Sequence, residues 1–333
     1  MRFSTPIDIK RPPFRIDEDS SVMMLGSCFA ENIGKYFVSN KFHANINPFG
    51  VLYNPISIFE CLNLLIAGEF PYEQALFESG GTWNSWYHSS KFSAVSYNQC
   101  VDNINATFLV SSKSIPDIDV LFVTLGTNHC YLHKAKRITV SNCHKCPADS
   151  FEEDVLDVQQ IVDCGAKCLD KLLGMNPDVR VVFTVSPYRY QKYGFHENQL
   201  SKAALLLSVD ALQNKYPANV TYFPAYELVH DELRDYRYYA EDMLHVSSFT
   251  EQYIWEKVVG TFFSEHAVSM LKTWNGIQNK INHRPLAPEN IQYKVFLEKL
   301  FLEIENFKSR YPSVNVNDEL KEIHDKITQF NTK

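Results

Sequence analysis

Short apolar runs alternate with segments of helical spacing along the first 265 residues of the chain. The runs, which end at glycine, asparagine, serine or proline, predict strands at residues 22–25, 42–47, 119–125, 179–185 and 220–223. Helical spacing lies between them, at residues 30–38, 56–66, 151–173, 199–216 and 226–236. Because parallel strands need crossover connections that cover both faces, this alternation predicts a doubly wound parallel α/β sheet. Ligands bind such sheets outside the carboxyl ends of the strands.

Two stretches depart from this alternation. Residues 68–117 contain Gly80-Gly81 and the aromatic residues Trp83, Trp86, Tyr87 and Phe92, which predict an insertion of loops with a hairpin that forms a pocket wall. Beyond residue 265 the pattern is helical and charged, most clearly at residues 295–307 and 318–330. We therefore expect a main domain at residues 1–265 and a C-terminal helical extension at residues 266–333.

Composition narrows the class of protein. With 333 residues and 45% hydrophobic content, the chain can bury one sizeable core. Its net charge of -7 gives no basic field for nucleic acid. The N-terminus lacks the apolar stretch of a signal peptide, and no segment approaches the roughly 18 apolar residues of a membrane span. We expect a soluble cytoplasmic protein whose eight cysteines are free thiols.

Candidate chemistry is concentrated at the predicted strand ends. Ser27 and Cys28 follow Gly26 at the start of a helix, where the helix N-terminus lowers the pKa of a nucleophile. Asn128 follows another strand and can donate its amide to an oxyanion or close its own turn. Asp242 precedes His245 by three residues, so its carboxylate can orient the imidazole as a general base. Together these residues predict an acyl-transfer site.

A family resemblance is carried by Leu25-Gly26-Ser27-Cys28-Phe29-Ala30 and by several further segments. These are residues 47–55, 125–128, 142–145, 184–187, 201–203, 222–227 and 232–237. Over about residues 1–300 the chain resembles the GSCFA family, which is similar to the SGNH/GDSL hydrolases. The resemblance implies a three-layer α/β/α fold with a mainly parallel, flavodoxin-like sheet and no cofactor. It also implies that Gly50 and Asn128 donate to the oxyanion and that Asp242 and His245 form the carboxylate and base. Val246 stands where we expect proline in the family.

The identity of the nucleophile stays open between two neighbours. Aligning Leu25-Gly26 with the Gly-Asp-Ser-Leu pattern places Cys28 at the serine position and Ser27 in the aspartate position. A one-residue shift instead makes Ser27 the nucleophile, in keeping with the usual chemistry of ester hydrolysis. Adjacent residues on such a turn point in different directions, so both cannot serve. We expect Cys28, with Ser27 as the alternative.

Six further residues are candidates for substrate binding: Trp86, His88, His144, Lys145, Tyr188 and Arg189. The aromatic cluster around Trp86 and His88 can either stack on a sugar or pack the core of the insertion. His144 and Lys145 lie in a predicted loop over the crevice. Tyr188 and Arg189 follow the strand end at residues 186–187, so they are expected to line it. Arg189 can fix an anionic group or form an ordinary surface ion pair.

The cysteine spacing offers a rival interpretation. Cys143, Cys146, Cys164 and Cys168 have a spacing close to that of structural zinc sites. Burial of free cysteines on the apolar face of a helix is the competing explanation.

The expected function is hydrolysis of a small acyl ester, such as an acetyl group on a carbohydrate or related small substrate, through a covalent acyl-enzyme. An acyltransferase that uses the same site is one alternative. A non-catalytic binding protein with a decayed site or a structural zinc is another, although the complete set of site residues argues against decay.

Overall fold

A parallel five-stranded sheet forms the centre of the computed structural model, which describes residues 4–286 and 289–331. The strands are β1 (Val22–Gly26), β2 (Ala44–Ile46), β3 (Leu76–Ser79), β4 (Thr82–Ser85), β5 (Val120–Leu125), β6 (His129–His133), β7 (Ile138–Val140), β8 (Phe151–Val155), β9 (Arg180–Val185) and β10 (Val220–Tyr222). The central sheet has the order β10-β9-β5-β1-β2. Read from the other edge, its strands follow the chain order 2-1-3-4-5, which is that of flavodoxin-like folds.

Helices cover both faces of this sheet. They are α1 (Cys28–Ser39), α2 (Pro55–Ala67), α3 (Tyr72–Ala75), α4 (Tyr97–Ser114), α5 (Val158–Met175), α6 (Phe195–Lys215), α7 (Ala225–Glu227), α8 (Ser248–Phe262), α9 (Glu265–Ile281), α10 (Ile291–Arg310) and α11 (Asn317–Asn331). The predicted three-layer α/β/α fold is thus confirmed. No helix in the described part of the chain combines the length and apolar character needed to cross a bilayer.

Two apolar cores fill the spaces between the sheet and the helices on its two faces. One lies between the sheet and α2, α4, α5 and α6, and the other lies between the sheet and α1 and α8. The C-terminal helices α9 and α10 contribute to the second core, where Trp274 is 1% exposed and donates from Nε1 to the carbonyl of Ser39 at 3.0 Å. Helix α9 of the predicted C-terminal extension therefore packs on the end of α1. The domain boundary at residue 265 stays a prediction.

Residues 68–117 are more regular than the sequence pattern indicates. The predicted hairpin is present as β3 and β4, but α4 follows it over 18 residues where no helix is predicted. The buried face of α4 is narrow, with Cys100, Ile104, Phe108 and Ser111 at helical spacing among polar neighbours. Such a stripe is hard to detect from sequence, because polar residues outnumber apolar ones along this helix.

The helix predicted at residues 151–173 is wrong in its first part. Phe151–Val155 forms β8, which pairs antiparallel with β6. Strand β6 is the middle strand of a separate three-stranded sheet of order β7-β6-β8. The helix begins only at Val158, because Asp157 and Gln160 form a reciprocal capping box there. The predicted helix at residues 226–236 is also shorter: α7 continues into one π-helical turn, Leu228–Leu233.

The shared core gives a first prediction. Trp274→Ala should lower the free energy of unfolding by about 3–5 kcal/mol, because it leaves a cavity in a fully buried position. Urea unfolding followed by circular dichroism measures this change. Phe249→Ala, at a side chain that is 65% exposed in α8, is the matched control and should change stability by less than about 0.5 kcal/mol. Separate unfolding of the C-terminal helices in the wild-type protein would contradict a shared core.

Candidate active site

The turn between β1 and α1 is held by its backbone. Gly26 has φ +134°, and an added Cβ would lie 2.1 Å from the carbonyl oxygen of Thr124 on the neighbouring strand. That same oxygen accepts the N–H of Ser27 at 3.3 Å, while the carbonyl of Gly26 accepts the N–H of Leu52 at 2.9 Å. Only glycine fits this approach. The turn therefore fixes the positions of the two residues that follow.

Ser27 and Cys28 point into different surroundings. The side chain of Ser27 is 0% exposed, and its Oγ has no hydrogen-bond partner among the described residues. Ser27 is the N-cap residue of α1 in conformation, yet its hydroxyl makes no capping hydrogen bond. Cys28 is half-buried at the first position of the helix. Of the two residues, only Cys28 is partly exposed to solvent.

Opposing effects act on the pKa of the Cys28 thiol. Burial is the largest and raises its pKa above the usual value, and the nearby carboxylate of Glu251 acts in the same direction. Hydrogen bonds from the backbone N–H groups of Phe29 and Cys28 and the charge of Lys202 lower the pKa. These N–H groups belong to the first helical turn and have no acceptor within the helix. The thiol is therefore protonated at rest and needs a base, while the helix N-terminus can stabilise the thiolate.

Asp242 and His245 form the predicted carboxylate and imidazole pair. Oδ2 of Asp242 lies 2.5 Å from Nδ1 of His245, and Oδ1 accepts the backbone N–H groups of Leu244 and His245 at 2.9 Å each. The hydrogen bond from His245 and these backbone bonds lower the pKa of Asp242 to about 2. Met243, with φ +59°, closes the loop between them. The carboxylate thus fixes the ring with Nε2 free.

Packing of α8 against α1 brings the base loop to the nucleophile turn. The side-chain amide of Asn32 in α1 donates to Glu251 in α8 at 2.7 Å, and Tyr36 stacks on Trp255. His245 immediately precedes this helix. Its ring lies 4.4 Å from the ring of Tyr188, and Tyr188 is electrostatically coupled to both Asp242 and Cys28. The structure therefore places the three catalytic candidates around one end of the sheet.

No hydrogen bond joins Nε2 of His245 to Cys28 or Ser27 among the described residues. Catalytic hydrogen bonds are often long in enzymes without substrate and tighten in the complex. This geometry is thus compatible with a base that approaches the thiol when substrate binds.

The two candidate oxyanion donors are differently placed. The N–H of Gly50 donates to the carbonyl of Asn47 at 2.7 Å, and an added Cβ on Gly50 would meet Ser89. Gly50 thus closes a turn. The side-chain amide of Asn128 donates to the carbonyl of Leu156 at 2.8 Å, which leaves its second N–H hydrogen for another acceptor. Donation to an oxyanion stays a prediction for both residues.

Trp86 and His88 are in the core. Trp86 is 3% exposed and stacks on Phe77 with ring centroids 3.5 Å apart. His88 is 0% exposed and hydrogen-bonded to Oγ of Ser85 at 2.8 Å. Burial lowers the pKa of His88 to about 3, so the ring is neutral. The structure therefore favours core packing over sugar stacking for this cluster.

The turn at residues 143–146 packs against a small apolar cluster formed by Trp86, Val140 and Phe151. Nε2 of His144 lies 2.8 Å from the carbonyl oxygen of Ser85, and burial lowers the pKa of its ring. Lys145 is exposed at the tip of the turn, with φ +58°. A role of either residue in substrate binding stays a prediction.

The rival zinc site is not formed by the described residues. They contain no group of three or more histidine, cysteine, aspartate or glutamate side chains able to hold a metal ion. Cys168 instead fills the core between α5 and α2, with its thiol donating to the carbonyl of Phe59. Cys143 and Cys146 pack near Trp86. The zinc alternative is therefore wrong for this set of cysteines.

Arg189 supports the base loop rather than standing free in the crevice. Its guanidinium donates to the carbonyl of Met243 at 2.9 Å and lies 4.4 Å from the ring centroid of Phe195. Its backbone N–H donates to the carbonyl of Leu244. Arg189 also lines a cavity of about 210 Å³ with His230 and Tyr239. Binding of an anionic substrate group by Arg189 stays a prediction.

Sequence reasoning assigned no role to two residues at this end of the sheet: Tyr53 and Lys202. Tyr53 is 41% exposed, and its carbonyl accepts the N–H groups of Gly126 and Thr127. Lys202 is 1% exposed, although lysine is almost never fully buried without partners. Its place on the buried stripe of α6, in phase with Leu205, Val209 and Leu212, was the available signal.

Two family models match the chain. One described as the GSCFA family matches residues 21–258, and one described as GSCFA domain protein, C-terminal domain, matches residues 274–329. A search of curated proteins gives no significant match. Among solved structures the chain is similar to an acetyl xylan esterase from the rumen bacterium Butyrivibrio proteoclasticus, with 10% identity and a TM-score of 0.38. This match covers 75% of the chain but only 64% of the esterase, which is less than two thirds of its length.

Close packing at the end of β5 gives a second prediction. Gly126→Ala should lower the free energy of unfolding by about 1–3 kcal/mol, because the new Cβ would lie 2.4 Å from the hydroxyl of Tyr190 and 2.9 Å from the carbonyl oxygen of Tyr53. Urea unfolding measures this loss. Gly174→Ala is the control, since nothing lies within 4 Å of its added Cβ near the end of α5. Equal stability of the two variants would contradict this packing.

Proposed function

Because the chain belongs to the GSCFA family, as its sequence motifs predict, we propose that it is an acyl-ester hydrolase with a thiol nucleophile. Cys28 is the nucleophile, His245 the general base and Asp242 the carboxylate that orients the base. The observation that carries this proposal is the 2.5 Å contact between Asp242 and His245, beside Tyr188, at the same sheet end as the accessible thiol of Cys28.

The reaction divides into two acyl transfers. His245 takes the thiol proton, and the thiolate attacks the ester carbonyl carbon, so that a C–S bond forms. The C–O bond to the alcohol then breaks, and the imidazolium of His245 gives its proton to the leaving oxygen. In the second half, His245 takes a proton from water, whose oxygen attacks the thioester. The C–S bond then breaks, the carboxylic acid leaves, and the imidazolium returns its proton to the sulfur, which restores the thiol. Asp242 stabilises the imidazolium in both halves.

Exposure of the base supports hydrolysis over transfer to another acceptor. The side chains of His245 and Asp242 are 48% and 44% exposed. Water therefore reaches Nε2 without a rearrangement of the loop, whereas an acyltransferase has to exclude water from its acyl-enzyme.

Aromatic side chains beside the nucleophile support a carbohydrate or related small molecule as the alcohol part of the ester. Tyr53 is 41% exposed, and Tyr188 is half-buried next to His245. Both are electrostatically coupled to Cys28. A flat ring of this kind suits the apolar face of a sugar, while its hydroxyl can bind a sugar hydroxyl. A small acyl group such as acetyl is the simplest partner for the half-buried thiol.

The third prediction identifies the nucleophile. Cys28→Ala should abolish hydrolysis of p-nitrophenyl acetate, because no other accessible nucleophile stands at the turn. Ser27→Ala is the matched neighbour and should keep the activity and the stability, since the hydroxyl it removes is buried and has no partner among the described residues. Mass spectrometry after rapid acid quench should find the acetyl group on the peptide that contains Cys28. An acetyl group on Ser27 would assign the reaction to the hydroxyl, and full activity in Cys28→Ala would refute the thiol mechanism.

The fourth prediction tests the base and the fate of the acyl group. His245→Ala should lower kcat by about 10²–10⁴-fold, the range of general acid–base catalysis, with an unchanged circular dichroism spectrum. For the wild-type enzyme, acetate release should not fall when xylose or other sugar acceptors are added. Acetylated sugar formed at the expense of acetate would identify a transferase instead.

A further inference from the structure

Lys202 is a buried cation at the carboxyl ends of two central strands. Its Nζ donates to the carbonyl of Gly126, after β5, at 2.5 Å and to the carbonyl of Ser186, after β9, at 2.8 Å. Oγ of the preceding residue, Ser201, accepts the N–H of Asn128 at 3.0 Å. Two adjacent side chains of α6 therefore hold the loop that follows β5.

The same cation stands close to the nucleophile turn. Nζ lies 4.9 Å from the ring centroid of Tyr190, whose hydroxyl is buried over Gly126 without a hydrogen-bond partner among the described residues. Strand β1 lies next to β5 in register, and the N–H of Ser27 donates to Thr124, two residues before Gly126. The charge of Lys202 accordingly lowers the pKa of Cys28.

An ammonium in this position is not needed for the fold alone. Two buried carbonyl oxygens at strand ends can be satisfied by a neutral amide, whereas a buried charge costs several kcal/mol unless it is paired. Burial lowers the pKa of Lys202 to about 7, and the charge of Cys28 is what raises it. The ammonium of Lys202 and the thiolate of Cys28 therefore stabilise each other once the thiol ionises.

We propose that Lys202 is a positioning residue of the acyl-transfer site, whose buried ammonium stabilises the thiolate of Cys28 while it fixes the ends of β5 and β9. The inference rests on the proposed nucleophile, Cys28, and names the group that favours ionisation of its thiol. Lys202 donates hydrogen bonds to the carbonyls of Gly126 and Ser186 and does not itself take part in the covalent steps.

Other charged and titratable groups around this pair set the background for a pH experiment. Five such groups interact through their charges with Cys28 or Lys202: Tyr53, Tyr188, Tyr190, His230 and Glu251. Glu251 opposes Lys202, because its carboxylate raises the pKa of Cys28. All five groups remain unchanged when only position 202 is substituted.

The fifth prediction concerns the rate at which iodoacetamide alkylates Cys28 between pH 6 and 10, measured by mass spectrometry of its peptide. Lys202→Met should shift this profile to higher pH, so that alkylation at pH 7 slows about tenfold for each unit by which the pKa rises. Lys215→Met removes an exposed lysine from the end of the same helix and should leave the profile unchanged. Lys202→Gln, whose amide can still donate to a strand-end carbonyl, tests the charge if the methionine variant does not fold.

The outcomes separate the two proposals. A folded Lys202 variant with the wild-type alkylation profile would overturn the inference, even if its esterase activity fell, because the role of the lysine would then be structural. A shifted profile in a protein that lacks esterase activity would support the coupling of Lys202 and Cys28 and refute the proposed function. A shifted profile together with a higher pH onset of esterase activity is the expected result.

Discussion

In-register pairing of the central strands is the constraint on which the site depends. Gly26 of β1 pairs with Thr124 of β5, and Thr124 pairs with Thr184 of β9. Because these parallel strands run level with one another, their chain continuations all emerge at one edge. Strand alignment alone therefore makes three segments neighbours: the nucleophile turn, the loop after β5 and the loop after β9.

That alignment has an electrostatic consequence. Strands that stop together leave carbonyl oxygens unpaired at the edge, and those of Gly126 and Ser186 are too buried for solvent to satisfy freely. The side chain of Lys202 meets this need from α6, and Ser201 adds a contact to the loop. The nucleophile side of the crevice is consequently rigid. The base side is a short exposed loop held by Asp242 and Arg189, so adjustment to substrate is expected there.

The sequence predicts the three inner strands of the central sheet, β1, β5 and β9, well because they are mainly apolar runs buried on both faces. The prediction fails where the same apolar spacing is compatible with a helix and with a strand. Phe151 and Val155 fit the helical period of α5, although they belong to β8. Only the pairing of β8 with β6 decides between them, and that contact is not local. The polar residues at strand ends were predictable for the same reason as the strands, since the end of an apolar run marks the edge of the sheet.

Unusual residues in the sequence differ in how well they indicate a functional site. Trp86 and Lys202 are both anomalous in the sequence, one as an aromatic residue in a loop-like stretch and the other as a lysine on an apolar helix stripe. For Trp86, packing is the solution: the uncharged ring fills a small core against Phe77, although its buried Nε1–H has no hydrogen-bond partner among the described residues. A buried ammonium has no such solution and must find acceptors or an anion. A charge on a core-facing stripe is therefore the stronger sign of a site, and here it points to the strand ends beside Cys28.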